Sequence, residues 1–277
     1  MISTHLPSSA SSLPGEGLEP QKMPGHWLLA RLGKRVLRPG GLALSKQMIE
    51  ALDIGPSDDV VEFAPGLGTT ARIVGLRGPR SYTAIERDSN AAALVGRYLV
   101  DDDAKCVVGH AEQSGLPSQS ADVVFGEAML TMQTESQKLK IVSEAFRLLR
   151  PDGRYAIHEM CLLPDGIGDQ ERSEIEADLA GVVHAGVRPL TPRQWRTMLE
   201  LAGFRVDCEA RAPMHLLEPI RMLRDEGFAG MMRILFNLCR DAEARRRVVS
   251  MRKVFRRHAA NLGAIMFVGR KLEEAAK

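Results

Sequence analysis

Val60-Val61-Glu62-Phe63-Ala64-Pro65-Gly66-Leu67-Gly68-Thr69-Thr70-Ala71 is the stretch whose reading decides the fold. A short apolar run that favours β structure leads into a turn with two glycines, and a helix-compatible segment follows. Glycines have no Cβ, so the turn can take positive φ and let a ligand approach the backbone closely. A second β-favouring run, Tyr82-Thr83-Ala84-Ile85, ends on Glu86-Arg87-Asp88, which puts a carboxylate 20 positions after Gly66. A glycine turn at one strand tip and an acid at the next suit a nucleoside-bearing ligand.

Outward from this stretch, strand and helix patterns alternate. The spacing predicts a helix over Thr69 to Leu76, a second strand over Ser81 to Ile85 and a helix over Ser89 to Leu99. A short third strand follows at Cys106 to Val108, a fourth at Ala121 to Phe125, then a helix over Ser136 to Leu149. After the turn Arg150-Pro151-Asp152-Gly153 comes a fifth strand, Arg154 to Met160. Such alternation predicts a parallel sheet covered by helices on both faces. Upstream, apolar residues at 28, 29, 32 and 36 predict a helix from Gly25 to about Leu37. Arg38-Pro39-Gly40-Gly41 breaks it, and a helix over Leu42 to Leu52 follows. Downstream, a helix runs from Ile167 to about Ala185, and Thr191-Pro192 reads as an N-cap with proline at the first helical position. A sixth strand spans Phe204 to Ala210, helical segments span Glu218 to Asn261 with Asp241 as an internal N-cap, and the last strand is Ala264 to Gly269.

The other strand tips carry chemistry too. Gly109-His110-Ala111-Glu112 follows the third strand, Gly126-Glu127-Ala128-Met129 the fourth, and His158-Glu159-Met160 lies at the end of the fifth. With Leu116-Pro117 and Leu149-Arg150-Pro151-Asp152-Gly153, these segments make Arg38 to Met160 resemble the class I S-adenosylmethionine-dependent methyltransferases. The resemblance is to the small-molecule group that includes the ubiquinone and menaquinone C-methyltransferases. The family's first motif is an acid followed by alternating glycines. Glu62, Gly66 and Gly68 match it, while Ala64 stands where the first glycine is usual and Pro65 follows.

The resemblance implies an α/β fold: a Rossmann-like, seven-stranded, mostly parallel sheet with the last strand antiparallel, carrying helical lid additions. It implies S-adenosyl-L-methionine as cofactor. On that basis Glu62, Ala64 and Gly66 lie against the methionine part, with Pro65 and Gly68 completing the turn. Glu86 holds the ribose beside Arg87. Ala111 and Glu112 flank the adenine, with His110 as a wall, and Gly126 to Ala128 face the sulfonium. The organisation that follows is a disordered tail over 1–22, an N-terminal helical cap over 23–54, a methyltransferase core over 55–217 and 262–277, and a helical insertion over 218–261. The insertion's Met-rich apolar stripes make it either a lid over an apolar acceptor pocket or a contact between two copies of the chain.

Methyl transfer from a sulfonium is an in-line displacement in which the enzyme contributes alignment and desolvation. A base is needed only when the acceptor must lose a proton. The candidates are His158 and Glu127. In a strand, His158 and Glu159 point to opposite faces, so one of them serves the site. His26 and Trp27 are placed to close the pocket from the first helix.

Two other readings compete. Gly66-Leu67-Gly68-Thr69-Thr70-Ala71 also fits the G-x-G-x-x-A pattern of an NAD(P)-dependent oxidoreductase, with Glu86 at the ribose distance. The tips of the third and fifth strands and the absence of a Tyr-x-x-x-Lys pair after the fourth strand speak against it. The basic helix over 240–258, with Arg245-Arg246-Arg247, Arg252-Lys253 and Arg256-Arg257, would suit an RNA methyltransferase. The segment after the fourth strand, however, has neither an Asn/Asp-Pro-Pro-Tyr pattern nor a Pro-Cys. The formal charge of +2 over 277 residues gives no global argument for nucleic acid.

Composition sets the frame. At 44% apolar and 26% charged, the chain has ordinary globular composition. Cys106, Cys161, Cys208 and Cys239 are far apart, which argues against a disulfide framework or a metal site and for a reducing, cytoplasmic setting. No apolar run is long enough to span a membrane, and the Ser/Pro/Gly-rich start has no signal-peptide pattern. A small-molecule acceptor is the expected partner.

Overall fold

The structure, a computed structural model, describes residues 13, 19, 21–99 and 102–272. Most of the tail expected to be disordered over 1–22, and residues 273–277 of the core segment, lie outside the described residues. Helix α1 (Gly25–Arg31) and α2 (Gly41–Leu52) precede β1 (Asp59–Phe63), α3 (Thr69–Gly75), β2 (Ser81–Glu86), α4 (Ser89–Gly96), β3 (Ala104–Val108) and β4 (Ala121–Glu127). Then come α5 (Glu135–Leu148), β5 (Leu149–Leu162), α6 (Asp169–Val183), α7 (Pro192–Leu201), β6 (Phe204–Pro213), α8 (Pro219–Arg240), α9 (Ala242–Arg257) and β7 (Leu262–Lys271). The strands form one seven-stranded sheet in the order β3-β2-β1-β4-β5-β7-β6. The pairs among β1 to β5 are parallel, and β7 runs antiparallel to both β5 and β6.

Alternation along the central strands divides the core into two layers. Val60, Val123, Phe125, Ala156 and Met266 face α2 and α3. Val61, Phe63, Val124, Ile157 and Phe267 face α5 and α7. Burying such a side chain fully contributes about 1.5–3 kcal/mol, so strands apolar on both faces belong at the centre of a doubly covered sheet. Helix starts are fixed locally. Asp88 accepts hydrogen bonds from the N–H groups of Asn90 and Ala91. Thr134 with Gln137, and Thr191 with Gln194, form reciprocal capping boxes, and Asp241 caps α9.

α1 stops at Arg31, short of the expected Leu37. Gly33 adopts φ +100, and the Lys34 N–H turns back to the Leu29 carbonyl at 3.0 Å. The apolar residue at 36 extends the helical periodicity without extending the helix. The freed segment, residues 34–42, is held from α8. Glu226 accepts from the N–H groups of Arg35 and Val36 and from the buried Lys34 ammonium. Asp225 accepts from the Leu42 N–H, and Arg221 donates to the Gly40 carbonyl. Gly227, with φ +70, breaks α8 just after this clamp.

The stripe along α8 divides between inside and outside: Ile234 is 3% exposed, but Phe228 is 74% and Phe236 58% exposed. On α9, Met251 is buried, and several basic side chains have partners within the chain. Arg247 bonds the carbonyls of Met23 and Val182, Arg252 and Arg256 pair with Glu218, and Arg257 with Asp178. α1, α6 and α9 pack together over the carboxyl ends of the strands. Among the described residues no helix is long and apolar enough to cross a membrane, and no cluster of His, Cys, Asp or Glu could hold a metal ion.

Candidate active site

The turn after β1 is built from three positive-φ residues, Ala64 (φ 52), Gly66 (φ 58) and Gly68 (φ 70). The Ala64 N–H reaches across to the Ile85 carbonyl at 2.8 Å, which ties the tips of β1 and β2 together. Only the left-handed conformation makes that bend, which is why glycine is usual there; alanine adopts it at a cost of about 1 kcal/mol. A Cβ on Gly68 would press on Val95 and Tyr98 at 3.3 Å, whereas one on Gly66 would meet nothing within 4 Å. Gly66 therefore presents bare backbone to the space above the strands.

Glu86 ends β2 only 4% exposed. One of its oxygens accepts the Gly66 N–H and the other the Asp88 N–H, each at 3.1 Å. Burial raises its pKa, and the two backbone donors pull the other way. Each oxygen keeps a lone pair for a further donor. Glu62, 3% exposed, accepts from the Tyr82 phenol; burial pushes its carboxyl up to about 8. After β3, the Gly109 N–H bonds the Glu86 carbonyl, Ala111 is 8% exposed, and His110 stands 3.9 Å from Glu112.

These tips enclose a solvent-open cleft of about 1560 Å³. Glu62, Ala64, Pro65, Gly66, Glu86, Arg87, His110, Ala111, Glu112, Glu127 and Ala128 all line it. Gly68 and Gly126 lie behind its wall. Gly68 backs onto α4, and a Cβ on Gly126 would sit 3.4 Å from the Phe63 carbonyl oxygen. Trp27 and Arg38 complete the rim from the N-terminal segment.

His158 does not reach this surface. It is fully buried, with Nδ1 2.8 Å from a Glu127 oxygen and Nε2 2.5 Å from the Pro39 carbonyl. Ser45 donates to the same Glu127 oxygen, and Arg38 and Thr70 donate to the other. Burial pushes the Glu127 carboxyl up, but Arg38, His158 and Ser45 outweigh it and hold it at about 2. Glu127 is thus a fixed anion with its lone pairs engaged. Its network pins residues 38–39 to the tips of β4 and β5. Glu159 points to the opposite face, as strand geometry requires, and its oxygens take the N–H groups of Met129, Leu130 and Thr131.

A second cavity, about 660 Å³, opens beside the cleft. Leu29 and Leu37, Leu179 and Val183 of α6, Met214 and Leu216, and Met251 and Phe255 of α9 make its wall almost wholly apolar. His26, Leu37, Ala128 and Met132 line both spaces, so the two meet at the tip of β4. Sequence reading placed His26 at the pocket but not among the site residues; its lack of a protein partner exists only in three dimensions.

Residues 61–157 match the family model described as a methyltransferase domain. An uncharacterised protein of Haemophilus influenzae is 32% identical over 235 residues, covering 83% of this chain and 91% of that protein. Among solved structures, a sarcosine dimethylglycine methyltransferase homologue from Galdieria sulphuraria is similar with a TM-score of 0.65 at 15% identity, covering 83% of this chain and 84% of that one. Phosphoethanolamine N-methyltransferase 2 of Haemonchus contortus, solved with S-adenosyl-L-methionine, is similar with a TM-score of 0.67 at 16% identity, covering 90% of this chain and 57% of that one. The solved structures share the fold of this chain, and within it residues 61–157 form a methyltransferase domain.

Proposed function

We propose that the cleft over β1, β2 and β3 holds S-adenosylmethionine and that the adjoining apolar cavity takes a small acceptor with a largely apolar body. The observation that carries this reading is the meeting of the two spaces at Ala128. A cleft of about 1560 Å³ with polar and charged lining runs into an apolar cavity at one strand tip. The cavity of about 660 Å³ is within the usual size of small-molecule sites. The cleft's residues fit the cofactor. Glu86 keeps two lone pairs for two ribose hydroxyls, Gly66 offers bare backbone, and Glu62 is a buried carboxyl able to ionise against a cation.

The cofactor supplies a methyl group already activated on a sulfonium. The chain's residues then orient and dehydrate. Glu86 fixes the nucleoside, the Arg38–Glu127–His158 network holds the covering segment 38–39 in place, and the walls from α1, α6 and α9 keep water from the reacting atoms. Calorimetry with S-adenosylhomocysteine, NADH and NADPH tests the cleft. Binding of the first is expected; binding of a nicotinamide nucleotide in its place would overturn the assignment. Transfer of labelled methyl from S-adenosylmethionine into the organic-soluble fraction of a metabolite extract tests the acceptor. Label confined to water-soluble ionic products would refute an apolar one.

A further inference from the structure

The acceptor cavity has two polar side chains in its wall, Thr131 and His26, and no charged one. The Thr131 hydroxyl donates to Glu159 at 2.7 Å. His26 is different. Its Nδ1 is buried without a hydrogen-bond partner, and the ring's contact among the described residues is with Trp27, centroids 4.6 Å apart. A buried polar atom left unpaired costs roughly 1–3 kcal/mol, so a native structure that keeps one at a cavity needs a reason for it. Burial, helped by the nearby positive charge of Arg87, pushes the imidazole down to about 4, so the ring is neutral and carries one N–H and one lone pair. The residue lines both the cleft and the cavity where the two join. On the cleft side of that junction Arg38 and His158 are both paired with Glu127, whose own lone pairs are engaged, so Glu127 is no competitor.

We infer that His26 reads the acceptor: its imidazole accepts a hydrogen bond from the O–H or N–H of an otherwise apolar, uncharged molecule, and the methyl goes to that heteroatom. This rests on the assignment of the two cavities made above. The step balances. A lone pair of the heteroatom forms the new bond to carbon, the carbon–sulfur bond breaks with its electrons staying on sulfur, and the sulfonium becomes a neutral thioether. The heteroatom's proton passes to His26, giving an imidazolium that returns it to solvent. A weakly basic imidazole suffices, because a hydroxyl or an aromatic amine carrying a new methyl group is an acid strong enough to give its proton to it. Carboxylates and tertiary amines are excluded on the same grounds: the cavity offers no counter-charge to the carboxylate or to the quaternary ammonium a tertiary amine would become, and neither acceptor brings a proton for His26.

The test uses naphthalene probes that share one apolar body, bound to the protein saturated with S-adenosylhomocysteine and followed by calorimetry. The wild type is expected to bind 1-naphthol or 1-naphthylamine about tenfold more tightly than 1-methoxynaphthalene, the worth of one hydrogen bond; whichever protic probe gains more identifies O–H or N–H. His26→Phe, which fills the space without an acceptor atom, should bind all three alike, and His26→Asn should retain part of the preference. Equal binding of the probes by the wild type overturns the inference even if the variants do not fold, and so does a preference that survives in His26→Phe. Failure of every probe to bind, with S-adenosylhomocysteine bound, refutes the acceptor cavity itself. Failure of S-adenosylhomocysteine to bind refutes the cleft. In the labelling experiment, product identity is a second readout: a methyl ether or N-methyl amine is expected, and a methyl ester or a quaternary ammonium product overturns the inference.

Discussion

Glu62→Gln should uncouple cofactor binding from pH. In the cofactor-free protein Glu62 is almost fully buried and its carboxyl lies at about 8, so near neutrality it is mostly protonated. Bringing a sulfonium and an ammonium into the same cleft favours the carboxylate, and the proton must leave. The sign follows: affinity for S-adenosylmethionine rises as pH increases and levels off above about 8. One linked proton sets the slope at about tenfold in Kd per pH unit over the rising limb. Calorimetry in buffers of different ionisation enthalpy should show close to one proton released per cofactor bound on that limb. Glu62→Gln has no proton to lose, so its affinity should be flat and its proton release near zero. A wild-type affinity that does not change with pH, or a slope that persists in Glu62→Gln, would refute the reasoning. The same group acts on the cofactor-free fold. Between the ordinary value of 4.5 and about 8, the folded state holds a proton that the unfolded chain gives up. Stability should therefore fall as pH rises through that window, and less steeply in Glu62→Gln.

Glu86→Ala removes the acceptor we propose for the two ribose hydroxyls and should weaken S-adenosylhomocysteine binding by about a hundredfold in calorimetry; unchanged affinity would remove Glu86 from the site. Ala64→Gly relieves an alanine held at φ 52 and should stabilise the fold by about 0.5 kcal/mol, the released strain exceeding the entropy gained by the unfolded chain; a lowered urea midpoint would contradict this. Gly41→Ala places a Cβ 2.5 Å from an Asp225 carboxylate oxygen at a backbone φ of +66 and should destabilise by about 2–3 kcal/mol in urea unfolding. A neutral result would mean that α8 does not clamp the start of α2.

The strands were legible because buried parallel strands are continuous apolar runs, and Val60, Val123 and Ile157 each lie in one. Asp88, Thr134 and Thr191 mark helix starts through local chemistry that needs no tertiary context. The limits of α1 and the division of α8 were not legible in the same way. Periodicity shows that a face is apolar, but not what covers it. Phe228 and Phe236 look as core-like in the sequence as Ile234 does. The cleft's acids could be found from spacing because they end successive strands. The tie between Glu127 and His158 needed the register of β4 against β5, which pairs those two residues side by side. His26 was legible as a residue that closes the pocket from the first helix, but not as an unpaired one. What distinguishes it is an unpaired nitrogen in a residue that lines two cavities, and the apolar one exists only once α6 and α9 have folded over the sheet.

The position of β7 has a consequence for synthesis. The last strand in chain order lies between β5 and β6, so Leu162 waits for Leu262, and Phe204 waits for Lys271. On the ribosome β1 to β4 can pair as they emerge, but β5 shows one bare edge, and β6 has no partner strand among the described residues until residues 262–271 clear the exit tunnel. Throughout that interval two hydrogen-bonding edges are open to other chains and to proteases. A premature stop shortly before residue 262 would retain every residue that lines the cleft and the cavity and still leave a nascent chain that quality control should remove.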